Sequence, residues 1–219
     1  MKVGDNLSVS SGVVSVPFIS TFSVNVGSGY TYGSIMSAVY AGVALKAPII
    51  SLKLYDSTYS ENISLDMDSL GWAGIIIFAN TRGTTINGYV KVDGSITAYF
   101  GGVYSYSITS SGNYPMLVSR GATVVTHSNL SLTASSSTEA LYVDLTSSFK
   151  GNTVYVSTCS CGVATCGNVS IETLECYSGV STGISAERGI TVVTYLYGNP
   201  ATRYTKDAGV LFIGGALAT

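Results

Sequence analysis

The segment Asn87-Gly88-Tyr89-Val90-Lys91-Val92-Asp93-Gly94 contains the signals on which the fold assignment depends. Its centre alternates between apolar and polar residues, which is the period of a β-strand with one buried face. An Asn-Gly pair precedes this strand and an Asp-Gly pair follows it, and both dipeptides accept the positive φ angles of tight hairpin turns. The segment therefore predicts the middle strand of an antiparallel meander.

The same alternation recurs along the chain, with turns rich in Gly and Asn between the runs. It is found at Leu52–Leu54, Ile63–Met67, Leu130–Ala134, Leu141–Leu145 and Val154–Val156. Ile75–Phe78 and Ile190–Tyr197 are continuous apolar runs, which predict central strands covered on both faces. Many short strands without a repeat of fixed period predict an all-β fold, an antiparallel β-sandwich of the jelly-roll type. Ser34–Leu45 fits a helix and a strand equally well.

The predicted organisation is one domain, residues 1–219, with a cysteine-rich loop insertion at about 157–183. Residues 184–219 could form a second lobe. The C-terminal stretch Gly209–Thr219 is apolar and uncharged, so we expect either a buried last strand or an arm inserted into a neighbour. The first twenty residues could likewise add a strand to the edge of a partner.

Composition narrows the classes of function. Charged residues make up 10% of the chain, whereas soluble domains usually have about 25%. The net charge is −2 without a Lys/Arg cluster, which argues against nucleic acid as a partner. No apolar run approaches the roughly 20 residues of a transmembrane helix. Met1–Ser20 lacks the apolar stretch of an export signal, which fits virion proteins because they assemble inside the cell.

All four cysteines lie close together in the predicted loop insertion. Their spacing, Cys-X-Cys-X4-Cys-X9-Cys, differs from the paired Cys-X-X-Cys of zinc sites. An even number of cysteines in a polar loop predicts two disulfides, with zinc binding and free thiols as the alternatives. Because a bridge between Cys159 and Cys161 would be strained, we expect each to pair with Cys166 or Cys176.

A cluster of acidic residues is a candidate calcium site, because carboxylate oxygens at short spacing bind Ca²⁺. The candidate ligands are Asp56, Glu61, Asp66 and Asp68. Leu70 stands where a further ligand would be needed in a calcium loop, and acids on the wet face of an alternating strand are the alternative explanation.

No residue pattern predicts catalysis. Gly179–Gly183 matches the Gly-X-Ser-X-Gly nucleophile motif, but the chain's single histidine, His127, precedes it instead of following it. Gly27–Gly33 is similar to a dinucleotide fingerprint, although its third glycine comes one residue late. The sequence therefore predicts that the protein is not an enzyme and has no cofactor.

Two further features indicate an outward-facing protein. Four Asn-X-Ser sequons are candidate glycosylation sites, at Asn6, Asn62, Asn129 and Asn168. The sixteen tyrosines lie mainly in predicted strands, as at Tyr104, Tyr106, Tyr195 and Tyr197. Tyrosine is enriched at interfaces because it combines a large ring with a polar tip, and tyrosine-rich faces also occur in sugar-binding modules.

This low-charge β-sequence, rich in Tyr, Ser, Thr and Gly, resembles coat and surface proteins of hyperthermoacidophilic archaea and their viruses. In size and strand density it is similar to the single jelly-roll penton or turret proteins of Sulfolobus turreted icosahedral viruses. The resemblance is one of composition over the whole chain, and no site residue carries over. It implies a pentameric or vertex-forming capsid role without enzymatic activity.

The observations together predict a structural protein of a virion, a capsid, penton or turret component that acts by self-assembly. The expected location is a virion or an extracellular surface. The expected partners are copies of itself and other coat or surface proteins. The first alternative is an extracellular filament subunit joined by donor-strand exchange, and the second is a carbohydrate-binding or adhesion module.

Overall fold

The computed structural model describes residues 8–10, 13–15, 19–71, 73–135 and 138–217. Over most of this length the chain forms a parallel β-solenoid, in which each strand pairs in parallel with the equivalent strand of the next turn. Paired residues in neighbouring turns are 20 to 28 positions apart, from 20 for Ser148 and Asn168 to 28 for Thr21 and Ile49. The predicted antiparallel, jelly-roll-type sandwich is therefore wrong.

The described residues contain 23 strands and two helices. The first part of the chain has β1 (Ser8–Ser10), β2 (Val13–Ser15), β3 (Thr21–Val26), α1 (Ile35–Ala44), β4 (Ile49–Leu54), β5 (Thr58–Tyr59), β6 (Ile63–Asp66), α2 (Met67–Leu70), β7 (Ile75–Asn80), β8 (Thr84–Asn87), β9 (Val90–Asp93), β10 (Thr97–Gly102), β11 (Tyr106–Thr109), β12 (Met116–Ser119), β13 (Thr123–Thr126), β14 (Leu130–Thr133) and β15 (Glu139–Val143). The second part has β16 (Ser148–Ser157), β17 (Cys159–Thr165), β18 (Asn168–Cys176), β19 (Val180–Ala186), β20 (Ile190–Gly198), β21 (Thr202–Lys206), β22 (Val210–Ile213) and β23 (Ala216–Leu217).

The solenoid has three faces. Face A contains β3, β4, β7, β10, β13, the first halves of β16, β18 and β20, and β22. Face B contains β5, β8, β11, β14 and the second halves of β16, β18 and β20, while face C contains β6, β9, β12, β15, β17, β19 and β21. From β16 onward one long strand covers both face A and face B, because it bends near Asn152, where the pairing with β18 skips a residue.

Alternation along each strand builds the core. Every second residue is buried, as in β7, where Ile76 and Phe78 are fully buried while Ile75 and Ile77 point outward. Equivalent inward residues stack from turn to turn, and the rings of Phe78 and Phe100 stack with their centroids 4.7 Å apart. The interior is therefore a continuous apolar column, the arrangement expected of a solenoid.

Helix α1 covers the N-terminal end of this column. Ser34 caps the helix by accepting the N–H of Ser37, and the Glu61 carboxylate accepts the N–H groups of Ile35 and Met36 at 2.7 and 3.0 Å. The helix buries an apolar side that includes Ile35, and it contacts β3, β4 and β6. Ser34–Leu45, for which helix and strand were equally expected, is thus mainly helical, and it acts as a capping element that shields the first turn.

The Asn-Gly and Asp-Gly pairs form corners of the solenoid instead of hairpins. The N–H of Gly88 donates to the carbonyl of Thr109 in the following turn. A Cβ atom added at Gly88 would overlap the carbonyl oxygen of Glu61 in the preceding turn. The predicted meander is therefore wrong, because the strands on either side of each corner belong to different faces.

The predicted loop insertion at 157–183 is also wrong, since β17, β18 and the start of β19 occupy this segment. The residues from 184 to 217 continue the same three faces. At the C-terminus Leu211 is buried, and β23 pairs antiparallel with β22 of the same chain. Within the predicted N-terminal arm, β1 and β2 pair with each other. The other residues of the arm before Ile19 lie outside the described residues.

Candidate functional site

Each of the four calcium candidates already has a structural partner. Asp56 accepts the backbone N–H of Ser28 at 2.6 Å, and Glu61 caps α1. Asp66 and Asp68 both contact Arg120, at 3.2 and 3.3 Å. The part of the chain that the structure describes has no group of three or more His, Cys, Asp or Glu side chains able to hold a metal ion. The structure therefore does not bring the four acids together as one site.

Arg120 joins successive turns of face C through a network of ion pairs. Its Nε donates to Oδ1 of Asp93 at 2.7 Å, and Lys91 lies 2.9 Å from the other oxygen of Asp93. Burial alone would raise the pKa of Asp93, but hydrogen bonds from Arg120, Lys91 and Ser119 outweigh that effect and lower the pKa to about 2. The network gives the buried carboxylate of Asp93 its hydrogen-bond and ion-pair partners, which is a structural role.

The four cysteines are free thiols, so the predicted disulfides are wrong. Cys159 begins strand β17 and Cys166 follows its last residue. At the rise of an extended strand they are about 23 Å apart, so they cannot pair. Burial raises the pKa of the Cys159 and Cys161 thiols to about 12 and that of Cys176 to about 11. At neutral pH these thiols are protonated, and a protonated thiol is a poor nucleophile and metal ligand.

The structure does not assemble a catalytic triad from the nucleophile-like motif. Ser181 lies in strand β19 on face C, and the residues after it continue the strand instead of forming a helix. His127 is exposed just after β13 on face A, in an open groove that Lys150 and Glu172 also line. A serine on one face and a histidine on another cannot share a proton.

Three of the four sequons lie on the described surface. Asn62, Asn129 and Asn168 are exposed, whereas Asn6 falls outside the described residues. The side-chain oxygen of Asn168 accepts the N–H of Ile190 at 3.3 Å, and that of Asn62 accepts the N–H of Tyr89 at 3.3 Å. Both residues therefore support corners between turns, whether or not they carry a glycan.

Four tyrosines converge at the C-terminal end of face B, and we call this group the tyrosine platform. It consists of Tyr155, Tyr177, Tyr195 and Tyr197. The rings of Tyr155 and Tyr177 are nearly parallel, at 11°, with centroids 5.7 Å apart; those of Tyr195 and Tyr197 are at 10° and 6.2 Å. Tyr177, Tyr195 and Tyr197 are each about half exposed, so the platform offers ring surface to solvent.

The parallel register explains why the two tyrosine pairs lie on the same face in neighbouring turns. Tyr155, Glu175 and Tyr197 are paired partners in β16, β18 and β20, so their side chains leave the same face one turn apart. The pKa of Tyr177 lies above its ordinary value because of partial burial, and the adjacent carboxylate of Glu175 acts in the same direction. The Tyr177 hydroxyl therefore stays protonated at neutral pH and can donate a hydrogen bond.

A row of hydroxyl side chains extends from the platform along face B. The register places Thr58, Thr85, Ser107 and Ser131 in line with Tyr155, one per turn. Glu175 is the one charged residue in this row over its seven described positions. The outer surface of face B is therefore a line of hydroxyls that ends in aromatic rings.

Comparisons with known proteins do not indicate a function. Models of protein families, curated proteins and solved structures gave no match. The resemblance to archaeal virus coat proteins thus stays a prediction from composition. Among the described helices, none has the length and apolar character of a bilayer-spanning segment.

Sequence reasoning identified only half of the platform. Tyr195 and Tyr197 were noted as strand tyrosines, but Tyr155 and Tyr177 were not. Tyr104 is exposed in another turn, and Tyr106 is buried in the core, where its hydroxyl donates to the Gly101 carbonyl. Tyr155 and Tyr197 are two turns apart in register, with Glu175 between them, so their spacing has meaning only once the turn length is known.

Proposed function

We propose that this protein is a carbohydrate-binding adhesion module exposed on an extracellular or virion surface. The tyrosine platform on face B is the observation that carries the proposal. A solenoid is suited to this task because its regular turns create an elongated binding surface. The function is argued from the site, since a fold of this kind hosts many activities.

The platform has the chemistry that recognises a sugar ring. The C–H faces of a pyranose are apolar and stack on aromatic rings, and tyrosine supplies a large, rigid contact area with a polar tip. Each of Tyr177, Tyr195 and Tyr197 exposes about half of its surface in the free protein. Stacking would bury this area without a change in the backbone.

Polar groups beside the rings supply directional contacts. The carboxylate of Glu175 lies between Tyr155 and Tyr197 in the same row and can accept hydrogen bonds from sugar hydroxyls. Thr173 lies beside Glu175 in the neighbouring row, where it pairs with Thr153 on one side and with Tyr195 on the other. Because the row of Glu175 has a single charge, that of Glu175 itself, and it is negative, the row favours a neutral glycan over a strongly acidic one.

The direction of the row indicates an extended ligand. Successive turns are separated by about 4.8 Å, so the row from Ser131 to Tyr197 spans about 14 Å along the solenoid axis. An oligosaccharide lying along that axis would contact the hydroxyl of Ser131 at one end of the row and the tyrosine rings at the other end. We therefore expect better binding of oligosaccharides than of monosaccharides.

Glycan-array screening followed by calorimetry with the best oligosaccharide tests the proposal. Replacing Tyr195 and Tyr197 together by alanine should weaken binding about tenfold or more, equivalent to 1.4 kcal/mol or more. Tyr40→Ala is the matched control, since Tyr40 is 51% exposed on helix α1, away from face B. Tyr197→Phe should retain most of the affinity, because the ring remains.

A result without array signal would overturn the proposal. So would equal weakening by Tyr40→Ala and by the double variant, because binding would then not depend on the platform. The virion structural role predicted from the sequence ranks second, since the solenoid gives it no specific support. The expectation that the protein is not an enzyme stays a prediction.

A further inference from the structure

Face A has an outer surface that is unusual for a sheet open to water. Its first outward row contains Ile49, Ile75, Thr97 and Thr123, and ends in Ile190 and Val210. Its second contains Ile77, Tyr99 and Val125, and ends in Val192 and Phe212. Ile190 is 50% and Val210 39% exposed. Parallel strands with apolar residues on both sides are normally covered on both sides.

Charge is almost absent from these two rows. Among the described residues of these two rows, from β3 to β22, Lys150 is the single charged one, and the next outward row carries Lys53 on β4. Apolar residues grouped at outward positions of a sheet mark an interaction surface. Two outward rows with a single charge favour a partner surface that is itself flat and mainly apolar.

We propose that face A is the contact surface of a homodimer, covered by face A of a second copy. When the two copies are related by a two-fold axis between β16 and β18, six strands of each face overlap, those from β10 to β22. Spaced about 4.8 Å apart and with two outward rows, they give roughly 400 Å² per copy, or about 800 Å² in total, the size of a weak, reversible interface. Two twisted sheets can pack face to face in this way about 10 Å apart. The interface lies on a different face from the tyrosine platform.

The order of residues along the face sets the orientation of the two copies. Apolar residues cluster on β7, β10 and β13 and again on β20 and β22, while Ser148 and Asn168 mark a polar zone between them. An antiparallel, two-fold arrangement places the first cluster of each copy over the second cluster of the other. Tyr99 then lies over β22, and Val125 over β20.

Charge complementarity supports the same arrangement. With the two-fold axis between β16 and β18, Lys150 of one copy faces strand β18 of the other. That strand carries Glu172, which lines the same groove as Lys150 within each copy. The pair forms twice by symmetry, and it prevents the two Lys150 side chains from meeting at the axis.

Sedimentation equilibrium of the full chain, with circular dichroism to confirm folding, tests this interface. The protein should be a dimer, and Val125→Lys should raise the dimer dissociation constant about tenfold or more. Ser107→Lys is the matched control, because Ser107 is an outward, partly exposed strand residue on face B. This control should leave the dimer intact.

Charge reversal tests the antiparallel arrangement itself. Lys150→Glu and Glu172→Lys should each weaken the dimer, and the two changes in one chain should restore it. Failure of this restoration, or a wild-type chain that is monomeric at all concentrations, would overturn the proposal. A variant lacking residues 1–18 tests whether the N-terminal segment of the same chain covers face A instead. If this variant dimerises and the full chain does not, that segment is the occupant and the proposed homodimer is wrong.

Discussion

Arg120 donates its Nε–H to Oδ1 of Asp93 across 2.7 Å, and this contact links two successive turns of face C. Asp93 is almost fully buried, whereas the side chain of Arg120 is half exposed. A buried carboxylate that keeps its charge needs such partners, and Lys91 and Ser119 complete the set.

The lowered pKa of Asp93 predicts acid sensitivity. The carboxyl has a pKa of about 2 in the folded chain and about 3.8 when unfolded. Its contribution to stability is present above pH 3.8 and is lost as the pH falls toward 2, by about 2 kcal/mol at most because water screens the pair. Thermal melts between pH 5 and 2 should therefore show a steeper loss for the wild type than for Asp93→Asn.

Asp207→Asn is the control for that experiment, since it makes the same change of charge at an exposed position. Its pH dependence should follow the wild type. Parallel curves for the wild type and Asp93→Asn would show that Asp93 does not titrate as the network requires.

Gly88→Ala should destabilise the protein strongly. A Cβ at this corner would overlap the carbonyl oxygen of Glu61, which belongs to the backbone of the preceding turn and cannot rotate away. Strain of this kind costs on the order of 1–3 kcal/mol. Chemical denaturation measures it, and Gly83→Ala, where an added Cβ meets nothing within 4 Å, should change stability little. Equal effects of the two variants would contradict the corner geometry.

Phe100→Ala should be among the most damaging core substitutions. The ring stacks on Phe78 at 4.7 Å and meets Tyr106 edge-on at 5.3 Å, and it is fully buried. Truncation of such a residue costs about 3–5 kcal/mol of unfolding free energy. Tyr99→Ala, its outward neighbour in β10, should cost far less. A reversed order of the two effects would mean that β10 faces the other way.

The thiols provide a chemical test of the cysteine correction. Cys166 is partly exposed, with its sulfur 3.3 Å from Oε2 of Glu187, whereas the other three cysteines are buried. We expect a thiol reagent to modify Cys166 alone in the native protein and all four cysteines after unfolding. Reducing agents should not change the melting temperature. Mass spectra with fewer free thiols after unfolding would favour the predicted disulfides.

The sequence predicts where strands lie better than how they pair. Runs such as Val90–Asp93 and Leu141–Val143 are strands with alternating burial, as their period indicates. That period is the same for parallel and antiparallel strands, so it does not determine topology. Corner residues such as Asn87 and Gly88 resemble hairpin turns because both require tight backbone geometry.

The repeat was hidden because its length varies. One turn takes 26 residues from Ile49 to Ile75 but 22 from Ile75 to Thr97. The change to long strands at β16 then shortens the turn to 20 residues. The tyrosine platform depends on this register, so its members could not be grouped from the sequence alone.

Distances between spin labels test the parallel solenoid most directly. Ser64, Ser185 and Thr205 lie in one outward row of face C, with Ser185 five and Thr205 six strands from Ser64. Labels introduced as unnatural amino acids leave the native cysteines untouched. Pulsed electron paramagnetic resonance should give about 24 Å for Ser64–Ser185 and about 29 Å for Ser64–Thr205. A Ser64–Thr205 distance equal to or shorter than the Ser64–Ser185 distance would contradict the solenoid.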